Sequence, residues 1–205
     1  MSEDAATFER RGRLTRNAAL ASVAVASILL LLKAYALWRT QSVAVLGSLA
    51  DTTLDLVASV VTLLGVHWAA QPADEQHRYG HGKAEALASL FQVTLIGMAA
   101  LGLAGESIHR LMTGVHSTAG ASEGIGVSLI AIVLSLALVL YQKRVIARTG
   151  SLAIGTDNLH YKSDFYLNLS VIVALVLDQY LRISGADALF GVGMTLLTED
   201  GRWDA

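Results

Sequence analysis

Apolar residues in this chain run in long blocks instead of amphipathic stripes. The blocks at about 17–38, 42–69, 84–112, 124–147 and 153–181 each approach or exceed the roughly 20 residues a helix needs to cross a hydrocarbon core of about 30 Å. A sixth block begins near Ala186 and gives out by residue 197, after about a dozen residues and short of a full crossing. The pattern predicts an all-α membrane protein. Residues 1–16 form an amino-terminal tail, 17–197 a transmembrane domain, and 198–205 a short polar tail. The first block exceeds the apolar region of about 7–15 residues in a cleavable signal peptide and lacks a convincing small-residue cleavage site, so its helix is expected to stay in the mature chain.

Composition agrees with a membrane solvent: hydrophobic residues make up 54% and charged residues 16%, and the mean hydropathy is +0.53. Basic residues decide orientation. Arg10, Arg11, Arg13 and Arg16 precede helix 1, Arg78 and Lys83 follow helix 2, and Lys143, Arg144 and Arg148 end helix 4, whereas the opposite loops hold only Arg39, Arg110 and Arg182. By the positive-inside rule, the amino terminus and the 2–3 and 4–5 loops face the cytoplasm. A net charge of -2 gives no sign of a nucleic-acid partner. The absence of cysteine excludes a disulfide framework and thiolate metal sites, so any metal must be held by His, Asp, Glu or water.

Two pairs of ionisable residues interrupt the apolar blocks at i, i+4: Asp51 with Asp55, and His160 with Asp164. That spacing puts both members of a pair on one helix face, one turn apart. Ionisable side chains inside a span are costly and by default suggest an ion or proton pathway. A lone Asp there can be only a helix–helix hydrogen-bond partner, but two pairs in separate spans are harder to explain that way. If helices 2 and 5 pack antiparallel, three carboxylates and one imidazole meet near the midplane. This set suits tetrahedral zinc and also admits iron(II), manganese, cobalt or cadmium. Without metal, the carboxylates would repel one another until they took up protons, so such a site can couple metal release to protonation. His160, with a reference pKa of about 6.5, is the natural group for that coupling.

The loop QPADEQHRYGHGKAE follows helix 2, which ends near Pro72, the only proline. Asp74, His77 and His81 can gather around one metal ion there, with water or Glu85 completing the shell. Equally, the segment reads as a solvated connector in which the histidines are incidental. Other polar residues in the spans read as structural. Lys33 is expected to snorkel to the outer interface. Asp157 either lines the approach to the site or favours the start of its helix through the dipole. Asn168 reads as a polar helix contact or as a hydrogen-bond donor to the metal ligands, and Gly97, Gly102, Ala104 and Gly105 permit close approach along helix 3. No phosphate loop, nucleophile elbow or H-E-x-x-H helix is present. An intramembrane metalloprotease would need an open zinc position, which four protein ligands do not leave.

The D-x3-D and H-x3-D pairs, the QPAD-to-HGKAE loop, and the DNLHYKSD and ADALF segments resemble the cation diffusion facilitator family over about residues 10–197. The likeness is closest to its bacterial zinc and ferrous-iron efflux branch. The resemblance implies a six-helix transmembrane bundle in the inner membrane, a homodimer, and a secondary active transporter that is not an enzyme. It also implies a divalent cation as substrate, exchanged for protons by alternating access, with no organic cofactor. Asp51, Asp55, His160 and Asp164 match the family's intramembrane transport site, and Asp74, His77 and His81 match its site in the cytoplasmic loop. The chain departs from the pattern in a shortened sixth helix and a TEDGRWDA ending. From this ending, the family's carboxy-terminal cytoplasmic domain and the acidic partner for Lys83 are expected to be missing. A frameshift, an incomplete gene or deliberate truncation would each give such an ending. Two readings follow: a metal/proton antiporter, or a truncated relative that binds metal or pairs with a full-length partner without transporting.

Overall fold

The computed structural model describes residues 3–41, 43–75, 77–113 and 121–181. Its elements are α1 (Glu3–Thr40), α2 (Val43–Ala69), α3 (Lys83–Thr113), α4 (Ala121–Thr149) and α5 (Leu152–Leu181). No strand occurs among the described residues. Among the described residues, four stretches are long and apolar enough to cross a membrane: Thr7–Arg39, Val45–Ala69, Lys83–Gly102 and Gly126–Thr149. α5 is the polar exception, with Asp157, His160, Lys162 and Asp164 inside about two turns. The expected segment at 186–197 and the tail at 198–205 lie outside the described residues.

One boundary differs clearly from the apolar pattern. Residues ahead of 17, expected as a tail, continue α1 back to Glu3. At 38 residues this helix is about 57 Å long, far more than a hydrocarbon core of about 30 Å. Its first turns are polar because they stand clear of the apolar slab, and Arg10, Arg11, Arg13 and Arg16 are all exposed. α4 stops at Gly150, whose φ of 66° allows the left-handed cap that bonds its N–H to Ile146 O at 2.8 Å.

The basic residues gather at one end of the bundle. Arg13 and Arg16 of α1 line a cavity with His67 and Pro72 at the end of α2, and Glu85 at the start of α3 accepts a hydrogen bond from Ser151 ahead of α5. This is the basic end. From it, α1 packs chiefly on α2 and α4 on α5, with α3 laid against α2 and α5.

The interior is built from small and polar side chains. Ala18, Ala19, Ala58, Ala88, Ala131 and Ala153 are buried beside Ser22, Ser59, Thr62, Gln92, Ser135 and Gln142. Leu31, Leu87, Leu101 and Trp38 stand 68–71% exposed. This arrangement suits a lipid solvent, where large apolar groups gain nothing by hiding and helices associate through small residues and interhelical hydrogen bonds. A close helix approach uses Gly65, where an added Cβ would sit 2.5 Å from Ala88 Cβ and 3.1 Å from Ala84 O. On α3, where Gly97, Gly102 and Gly105 would permit close approach, a Cβ at any of the three would meet nothing within 4 Å.

Candidate metal sites

Three of the four intramembrane candidates converge. Asp55 of α2 and His160 and Asp164 of α5 bring ligand atoms within 4.8 Å of one another. His160 Nε2 lies 3.1 Å from Asp55 Oδ1 and 3.5 Å from Asp164 Oδ2. A tetrahedral ion with ligands at about 2.0–2.2 Å sets neighbouring ligands about 3.3 Å apart, and both separations fit. A single Nε2–H can serve only one of the two oxygens, whereas a divalent cation serves both and the nitrogen as well. Asp51 does not join this trio. It lies one turn from Asp55 and is exposed.

Exposure rises away from the basic end. Asp157 is 0% and Tyr161 1% exposed, His160 is 8%, and the Asp164 side chain reaches 26%. The seal on the basic side is a polar layer centred on Asp157, which is neither a helix-start acid in solvent nor a wall of an open approach. Ser22 of α1 and Gln142 of α4 donate to Asp157 Oδ2, the latter at 2.6 Å, and Gln92 of α3 donates to Oδ1 at 2.6 Å. Thr62 of α2 donates to Gln92 Oε1 at 3.2 Å, so all five helices meet in one network. Tyr161 adds a second tie, donating to Ser22 O at 3.0 Å while its oxygen lies 3.0 Å from Ser59 Oγ. Asn168 donates within its own helix, to Asp164 O at 2.8 Å.

Sequence reasoning missed Ser22, Gln92 and Gln142. Their signal was polarity inside apolar blocks, masked in Gln142 by the basic residues that follow it. Lys33 is a second correction. Instead of snorkelling outward, its ammonium donates to Thr52 Oγ1 at 2.6 Å and to Ser48 O at 3.3 Å.

The loop candidates also come together, with ligand atoms of Asp74, His77 and His81 within 4.8 Å. Asp74 folds the loop on itself: its Oδ1 accepts His77 N–H at 2.5 Å and lies 3.1 Å from His77 Nδ1, and its Oδ2 is 3.6 Å from His81 Nε2. The two imidazole rings are 4.4 Å apart. His81 Nδ1 is buried without a hydrogen-bond partner among the described residues. Glu85, a candidate to complete this shell, is engaged with Ser151 instead. That bond links the first turn of α3 to Ser151, whose Oγ accepts Ile154 N–H at 3.2 Å as the cap of α5.

Comparison with known proteins places the chain in a family. Residues 19–199 match the cation efflux transmembrane domain. A cation-efflux pump FieF of Klebsiella pneumoniae is 46% identical over 183 residues, which is 89% of this chain and 60% of the relative. The pumps of the same name from Cronobacter sakazakii and Salmonella newport are 44% and 43% identical over the same extent. The chain thus spans about 60% of the length of these curated relatives. With the match running from the middle of α1 past the end of α5, and its apolar helices marking a multi-pass membrane protein, the chain belongs to the cation efflux family, a family of transporters and not of enzymes.

Proposed function

We propose that this chain exports divalent metal from the cytoplasm in exchange for protons, with zinc as the foremost substrate and iron(II), cadmium, cobalt and manganese admitted by the same donors. The observation that carries the reading is His160 Nε2 held between carboxylate oxygens of two different helices inside an apolar bundle. Three ionisable groups at such depth are costly unless a cation or protons compensate them.

The basic end faces the cytoplasm by the positive-inside rule. Metal is captured there by Asp74, His77 and His81 and passes inward to Asp55, His160 and Asp164. Asp51, one turn further from the basic end, rotates in as the fourth ligand. Binding requires deprotonated ligands, so protons arriving from the far side compete with metal and drive release. The described arrangement, sealed toward the basic end by the Asp157 layer and more open beyond Asp164, is the release-facing one. Family resemblance extends the proposal to a homodimer in the inner membrane.

The test is zinc flux by the 205-residue chain in proteoliposomes with an inward proton supply. Asp55→Ala and His160→Ala are each expected to abolish it, and flux surviving either change overturns the assignment. Zinc binding that depends on Asp55 without any flux would instead support the binding-only alternative.

A further inference from the structure

Lys33 is a half-buried cation near the intramembrane cluster that the metal-binding reading leaves without a role. It projects from α1, half-buried, and its ammonium is bonded to a hydroxyl and a carbonyl of α2, at Thr52 and Ser48, and not to a carboxylate. Thr52 is 1% exposed, follows Asp51 directly and precedes Asp55 by less than one turn. The hydroxyl itself is fixed by donating to Ser48 O at 3.1 Å, so the tether is rigid. The charges within reach of this ammonium are Asp55, Asp164 and Asp51. These are the carboxylates of the proposed site.

A cation kept in an apolar slab must be compensated. Here compensation comes through space, because the neutral tether keeps the ammonium off the carboxylates and leaves their oxygens free to ligate. A unit positive charge held there opposes a divalent cation and favours the metal-free carboxylates. At an effective dielectric constant near 20, a unit charge acts on a divalent cation across about 10 Å and more, enough to change affinity by at least about tenfold. We propose that Lys33 is the resident counter-cation of the site, a positioned charge that weakens the grip on metal and so speeds its release. The inference rests on the transport-site reading.

The experiment is zinc titration of the full chain in lipid nanodiscs, in a His77→Ala/His81→Ala background that leaves the intramembrane site to report, paired with flux measurements in proteoliposomes. Lys33→Met and Lys33→Gln are expected to bind zinc about tenfold more tightly, with lower half-saturation and a lower maximal flux, while Lys33→Arg stays near the parent. Lys33→Gln keeps a donor for Thr52 and removes only the charge, so it separates electrostatics from the tether. Unchanged or weaker binding in both neutral variants overturns the proposal, as does a loss confined to Lys33→Met. A parent chain with no Asp55-dependent zinc binding takes down the transport-site reading itself. That outcome is distinct from Asp55-dependent binding that Lys33 does not alter.

Discussion

Asp51 and Asp157 carry the same functional group in opposite circumstances, one exposed and outside the ligand trio, the other fully buried and bonded on both oxygens. If Asp51 turns in as the fourth ligand, Asp51→Ala replaces a protein oxygen with water. Cobalt(II) bound in place of zinc is then expected to lose visible absorption intensity as its tetrahedral shell opens, and an unchanged spectrum would leave Asp51 without that role. Asp157→Ala strips the acceptor from three donors. Interhelical hydrogen bonds in membranes average about 0.6 kcal/mol and reach about 1.7, so the expected loss is about 2 kcal/mol and at most about 5. Thermal unfolding in detergent reads it, while Asp55-dependent zinc affinity changes far less than for His160→Ala. The ligand pairs were legible in the sequence because i, i+4 proximity is a local property of any helix. Asp157's partners and Lys33's direction were not, because both depend on which helices become neighbours.

At the scale of elements, packing turns on where two backbones can approach. Gly65 is a point of close contact of α2 with α3, and a methyl group there collides with Ala88 Cβ and Ala84 O. Gly65→Ala is expected to cost about 1–3 kcal/mol, as overpacking does in a filled interior. Gly97→Ala on α3 meets open space and gains up to about 1 kcal/mol of helix propensity. Opposite shifts of the unfolding temperature in the two variants check this assignment, and equal shifts would contradict it. The five described helices were readable from the lengths of the apolar blocks, since a bilayer imposes a minimum span, while the sixth expected at 186–197 lies outside the described residues. The start of α1 was not, because apolar length marks the slab and a helix is free to continue beyond it. The glycines of α3 show the same limit: a glycine shows that close approach is permitted, and only the neighbouring helix shows whether it is used.

For the whole molecule, the decisive unknown of a transporter is which end meets which compartment, since direction of export follows from it. The claim that the basic end is cytoplasmic rests on the distribution of Lys and Arg, and the fold sharpens it by placing the starts of α1, α3 and α5 together with the end of α2. The chain has no cysteine, so a single introduced thiol reports its own side without a background. Tyr79 lies between His77 and His81 in the loop at the basic end and is fully exposed, at 103%. Gln41, exposed just past the far end of α1, marks the opposite side. In intact cells, a membrane-impermeant maleimide is expected to label Gln41→Cys and spare Tyr79→Cys, and inside-out vesicles should reverse the pattern. Labelling of Tyr79→Cys in intact cells would invert the bundle. Asp74, His77 and His81 would then receive metal from outside, and the same two sites would describe uptake in place of export.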